Sequence, residues 1–198
     1  MTIVRYSPAQ LVRSQYPIEF NDNGAGIQPL VSLGSFTAGE THLGAVGGHT
    51  KVIAVTPVLT VHATYVSGDY VGTSSAAMEF AGCARVVGGS GTIMGANLLD
   101  FALQSLAMEL WMFNAAPTPP NDSAPWSISD ADLLKFLGVI AHNTYYASAA
   151  NSASPVPNQN IAFVCGVAST SLWGCWVTRG APAYPSGDLT EQLMVSQD

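Results

Sequence analysis

Charge is what this chain has least of. Of its 198 residues only 10% are Asp, Glu, Lys or Arg, against roughly a quarter in an average soluble domain. The six basic residues, Arg5, Arg13, Lys51, Arg85, Lys135 and Arg179, are scattered, and the formal net charge is −7. No basic patch can form that would neutralise a row of phosphates, so nucleic acid is excluded as a partner. Long apolar runs are missing too. No stretch reaches the eighteen or so apolar residues that cross a bilayer as a helix, so no membrane partner is expected. The opening MTIVRYSPAQ lacks the apolar core of an export signal, and none is expected. Cysteine is sparse: Cys83, Cys165 and Cys175 contain no close pair, and structural metal sites draw on clustered ligands such as C-x2-C. Cys165 and Cys175 fall on strands expected to be neighbours, which leaves a bridge open. Buried free thiols are the favoured reading.

Catalytic and cofactor motifs are missing as well. His42, His49, His62 and His142 lie far apart, two of them in glycine-rich sequence, where no preorganised metal site is expected. Asp130 and Asp132 resemble a carboxylate pair. Two residues apart at a helix start they do not share a face, and capping accounts for them. Gly88-Gly89-Ser90-Gly91 is not followed by a helix carrying Lys-Ser/Thr, so it reads as a hairpin turn, not a phosphate loop. No G-x-S-x-G elbow occurs. Trp111, Trp126, Trp173 and Trp176, with Tyr145, Tyr146 and Tyr184, could line a sugar platform. Trp173 and Trp176, three apart on a strand, face opposite ways, which favours core or subunit contacts. The expectation is a protein that is not an enzyme and holds no cofactor and no metal.

What the chain does have is apolar side chains, 48% of the total. So many of them with so few charges leave uncharged surface in contact with water, and large surfaces of that kind mark contact sites. Assembly with copies of itself or with something larger is expected. Residues 1–50 carry Pro8, Pro17 and glycines at 24, 26, 34, 39, 44, 47 and 48, which break any continuous hydrophobic pattern. This segment reads as an extended arm ordered on a partner. Val12, Tyr16, Ile18 and Phe20 are its candidate partner-binding anchors.

Residues 51–198 read as one all-β domain, an antiparallel β-sandwich. KVIAVTPVLTVHATYV alternates at period two, with Pro57 fitting an edge or bend. Turn clusters recur every 8–12 residues or so, the rhythm of sandwiches and barrels. LLDFALQSLAMELWMF (98–113) is the apolar centre: a strand through about Gln104, then a strand LAMELWMF buried on both sides, with one long helix as the rival reading. WSISDADLLKFLGVI is a short helix of two to three turns, capped by Ser127 or Ser129, turning Leu133, Leu134, Phe136 and Leu137 inward and ending at Gly138. VIAHNTYYASA is a strand and NSASPVPNQN a loop. NIAFVCGVA and SLWGCWVTRGAPAY form a hairpin. In the last strand Leu189, Glu191, Leu193 and Val195 share one side.

GSGTIMGANLLD, WSISDADLLKFLGVI and SLWGCWVTRGAPAYPSGDLTEQL together resemble a family of virion structural proteins of tailed bacteriophages. That family carries a GSG-x-I strand, a long apolar strand, a capped acidic helix S-x-x-D-x5-G and a strand ending T-R-G-x-P-x-Y. The resemblance runs from about Thr56 to the C-terminus. It implies a jelly-roll-like sandwich on a phage particle, with capsid decoration (cementing) as one known use. The implied partners are the major capsid protein and further copies of the chain, as a homotrimer on the capsid surface. The alternatives are a receptor- or glycan-binding module of a head or tail fibre, or a tail or neck component.

Overall fold

The computed structural model describes residues 19–21, 28–30, 49–60, 64–184 and 187–198. They fall in two units, Met1–Val46 and Gly47–Asp198. In the first, β1 (Glu19–Asn21) and β2 (Gln28–Leu30) pair antiparallel, with Glu19 opposite Leu30 and Phe20 opposite Pro29.

The second unit is built from alternation. Its strands are β3 (His49–Val55), β4 (Tyr70–Val71), β5 (Met78–Phe80), β6 (Ser90–Asp100), β7 (Met108–Phe113), β8 (Phe136–His142), β9 (Tyr146–Ala147), β10 (Ser152–Val164), β11 (Leu172–Thr178) and β12 (Leu189–Gln197). One sheet runs β3-β12-β6-β10-β9. The other runs β4-β11-β7-β8, with β5 also on β11, ahead of β4 in register. Every strand pair is antiparallel. The chain changes sheet at β3–β4, β5–β6, β6–β7, β8–β9, β10–β11 and β11–β12. First and last strands thus lie side by side, and the strands between them interleave across two sheets, as in a jelly roll.

Inward side chains of both sheets make one core. Ile93, Leu98, Leu193 and Val195 of the first sheet meet Leu110, Ile140, Leu172 and Trp176 of the second, all essentially unexposed. Burying each such side chain contributes about 1.5–3 kcal/mol. Strand β12 alternates without a break: Leu189, Glu191, Leu193, Val195 and Gln197 are buried, and the residues between them are partly exposed. Strand β6 needs a bulge to stay in phase, because Gly95 pairs Met194 and Ile93 pairs Val195, leaving Met94 between them. A Cβ at Gly95 would approach the Val156 carbonyl to 2.7 Å, so only glycine fits. Opposite, β10 slips its register between Pro157 and Ile161. Asn158 and Asn160 take up that slip at φ 60° and 52°, a region asparagine tolerates.

Several expectations are corrected. The segment 98–113 is strand rather than helix, but its first strand stops at Asp100, not Gln104, and its second starts at Met108. Between them residues 101–107 cross from one sheet to the other, with Leu103 and Ser105 at positive φ. The Asp100 carboxylate closes this crossing by accepting the N–H groups of Ala102 (3.0 Å) and Ser105 (2.7 Å). The helix is a single turn, α1 (Asp130–Leu133), capped by Ser129. Leu133 and Leu134 are 48% and 89% exposed rather than inward. Helical propensity loses to tertiary pairing here, because FLGVIAH completes the second sheet against β7, with Gly138 inside the strand. NSASPVPNQN is not a loop but most of β10. Pro155 and Pro157 lie beyond the two residues that pair with β9, so their missing N–H groups can face an unpaired edge. Gly88–Gly91 is no hairpin turn, since β5 and β6 belong to different sheets. Nor do β10 and β11 form a hairpin, since β11 lies between β7 and the β4/β5 pair.

Candidate interaction face

Of the four arm residues, Val12, Tyr16 and Ile18 lie outside the described residues. Phe20 lies in β1, its backbone opposite Pro29. His42 and His62 also lie outside them. His49 starts β3, its Nδ1 3.2 Å from Gln197 Oε1. Among the described residues no three His, Cys, Asp or Glu side chains converge as a metal set, and no helix is long and apolar enough to cross a membrane. Cys83, Cys165 and Cys175 are buried free thiols. Burial pushes the Cys83 thiol up to about 12 and raises Cys165 and Cys175 as well, so none is a ready nucleophile.

The two sheets present very different outer faces. That of β4-β11-β7-β8 is covered by the connection between β7 and β8. Residues 123–126 of this connection lie along β4: Ser123 N donates to Tyr70 O, Tyr70 N to Ala124 O, and Trp126 N to Gly68 O. Beneath them Tyr70, Phe113 and Cys175 form a second small core, closed by Trp111, Trp126, Ile128, Phe136 and Trp173. The Trp126 ring stacks 6.0 Å from Tyr70 and lies 5.5 Å from Trp111. Charges sit around this core. Arg179 pairs with Glu109 at 2.6 Å, and Glu109 also accepts the Trp111 indole N–H. Lys135 pairs with Asp132 at 2.6 Å, and Ser129 donates to the same carboxylate. These donors hold both carboxyls below the usual range. Asp132 thus does more than cap a helix: it ties α1 to Lys135 and to Thr118 N. Trp176 and Tyr184 are buried and Tyr146 is 69% exposed, while Trp111 and Trp126 pack on each other with ring centroids 5.5 Å apart.

Within strands β3, β12, β6 and β10 no charged side chain lies on the outer face; Asp188 and Asp198 stand just beyond the two ends of β12, the latter accepting a hydrogen bond from Ser90 at 2.7 Å. Strand β3 contributes Thr50, Val52 and Ala54, and β12 contributes Thr190, Gln192, Met194 and Ser196. Strand β6 adds Thr92, Met94, Asn97 and Leu99, and β10 adds Ala153, Pro155, Ala162 and Val164. These align in cross-strand rows, such as Thr50–Ser196–Thr92–Ala162 and Ala54–Gln192–Asn97–Pro155. Val52, Met94 and Val164 are 57%, 42% and 58% exposed. At one end the loops after β5 and β10 add Val86, Val87 and Val167, the last 95% exposed. Among the described residues no segment lies across this face as 123–126 lies along the other.

Ionisable side chains lie inside. Glu191 (β12) and His142 (β8) are fully buried between the sheets, Nε2 to Oε2 3.4 Å. The same Oε2 accepts the Trp176 indole N–H at 2.8 Å. His142 Nδ1 lies 3.1 Å from the Ser154 carbonyl, which can only accept, so Nδ1 carries a proton and Nε2 is turned to the carboxylate. The Glu–His contact is short enough for an ion pair but not aligned as a hydrogen bond, and His142 Nε2 and Glu191 Oε1 have no hydrogen-bond partner among the described residues. Asp100 lies one row away on β6, beside Ser152. Burial and the nearby Asp100 raise the Tyr145 and Tyr184 hydroxyls, which stay protonated. With no exposed atom, the Glu191–His142 pair presents nothing to a substrate and organises the contact between the sheets. Sequence reasoning passed over it because His142 and Glu191 are 49 positions apart. The signal was the carboxylate of Glu191 sharing a side with Leu189, Leu193 and Val195.

No protein-family model matches the chain, and no curated protein is similar to it.

Proposed function

We propose that this chain is a structural protein of a tailed-phage virion that decorates the capsid and bridges neighbouring subunits of the major capsid protein. The observation that carries this reading is the outer face of β3-β12-β6-β10, partly apolar and without charged side chains within its strands, an exposed surface suited to contact. The jelly-roll order of the strands, an architecture used in viral capsids among other places, and the resemblance of residues 56–198 to virion proteins point the same way. The work is mechanical. Neutral contacts repeated by the symmetry of a shell sum to high avidity although each is weak. The segment 1–50 acts as an arm, with Val12, Tyr16, Ile18 and Phe20 as its anchors, and adds strand-like main-chain hydrogen bonds on a neighbour.

Immunogold labelling of purified particles tests the assignment: label spread over the head supports it, and label confined to tail or fibre, or absent, overturns it. Deleting residues 2–22 tests the arm. The shortened chain should fold and fail to bind capsids, and unchanged occupancy would remove the arm from the account.

A further inference from the structure

We propose that the outer face of the β3-β12-β6-β10 strands packs against the same face of a second copy of this chain. The inference names a second copy as the occupant of the face on which the virion reading rests; because it needs only the sandwich, it is tested on the purified chain and can fail or hold separately from the placement on the particle.

Electrostatics comes first. Each copy carries a net charge of −7, so two copies repel wherever their charged surfaces meet. Within the four strands this face has no ionisable side chain, and its carboxylates, Asp188 and Asp198, stand beyond the ends of β12, so a self-contact centred on the strands buries no ion and can leave these carboxylates in water at its rim. A charged partner would find no opposite charge at the centre of the face.

Hydrogen bonding points the same way. The polar side chains of the face are hydroxyls and carboxamides, among them Thr50, Thr92, Ser196, Asn97 and Gln192. Each of these groups both donates and accepts. A face of carboxylates, or of lysines, cannot satisfy a copy of itself, whereas this one can, and an isologous contact requires such self-complementarity. Val52, Met94 and Val164 supply the apolar part, distributed over three of the four strands.

Shape and size set the strength. Sheet faces stack on one another about 10 Å apart. Four strands some 4.8 Å apart and 7 to 13 residues long present roughly 20 by 33 Å, or about 650 Å². This is below the about 800 Å² per partner of a standard interface. The pair therefore belongs at the weak end of specific association, with a Kd in the micromolar range. A two-fold pair differs from the trimer that the resemblance implies, and the mass of the particle separates them.

The test uses the full chain. Sedimentation equilibrium from about 1 to 200 µM should show wild type passing from monomer to dimer. V52D/M94D/V164D and V52K/M94K/V164K should each remain monomeric, with association weakened at least about 100-fold. Their circular dichroism and thermal midpoints should stay near wild type, because all three positions are exposed. Mixed one to one, the acidic and basic variants should form a dimer again, which only a face meeting its own counterpart allows. A wild-type monomer throughout the range, a trimer, a dimer indifferent to the substitutions, or folded variants that fail to pair when mixed would each overturn the proposal.

Discussion

The two outer faces of the sandwich solve the same problem in opposite ways. Both sheets turn apolar side chains away from the main core. On β4-β11-β7-β8 the chain covers them itself: residues 123–126 hydrogen-bond along β4, Trp126 stacks on Tyr70, and Glu109, Arg179, Asp132 and Lys135 surround the cover. On β3-β12-β6-β10 the described residues supply no such cover and, within the strands, no charge, and Val52, Met94 and Val164 stand exposed. That contrast, more than the low overall charge, is what favours this face as the proposed contact surface.

The interior shared by the two faces sets the energy scale. Glu191→Ala leaves the buried Trp176 indole N–H without its acceptor and empties the space beside His142 Nε2, and should cost about 3 kcal/mol, read by urea denaturation. Gln192→Ala, one residue along on the open face, should change stability by less than about 0.5 kcal/mol. Equal effects would mean that the two sides of β12 are not distinct. Trp126→Ala should come next, at about 2 kcal/mol for a half-buried ring. It should also uncover Tyr70 and Trp111, raising hydrophobic-dye binding above that of wild type and making the closed face resemble the open one.

Smaller effects test the charged surroundings of the closed face. Glu109 and Asp132 are held below the usual carboxyl range, chiefly by hydrogen bonds from Arg179 and Lys135. A carboxyl lowered on folding adds stability above its unfolded value of about 4, and the contribution is lost as pH falls through the folded value. Stability should therefore decline on acidification below about pH 4, and Arg179→Ala should shed the Glu109 part of that decline, less than about 1 kcal/mol for a partly exposed pair. Mildest of all, Cys83, Cys165 and Cys175 should resist alkylation at pH 8 in the folded chain and react on unfolding. A fast-reacting thiol in the native protein would place one of them at the surface.

Much of this architecture was legible in sequence, for identifiable reasons. Strand β12 alternates perfectly and so declared both its buried and its exposed side, Glu191 included. The Ser129 cap was visible because capping is local. What misled were places where a partner decides the outcome. Phe136–Gly138 reads as the end of a helix until β7 is there to pair with it. Pro155 and Pro157 read as a loop until an unpaired edge is available. The turn at 101–107 depends on the Asp100 carboxylate and on positive φ at Leu103 and Ser105, neither of which hydrophobic spacing reveals. The open face escaped notice because no sequence pattern marks where charge is missing from a surface assembled from four separate strands.

Oxidation of Met94 by dilute peroxide, followed by mass spectrometry across protein concentration, examines that open face most directly. If the face is a contact surface, Met94 should be oxidised rapidly at low micromolar protein and be protected progressively as concentration rises, while the buried Met108 and Met112 stay slow throughout. An oxidation rate at Met94 that does not change with concentration, in the free protein and in whatever assembly it joins, would mean that this face remains in water.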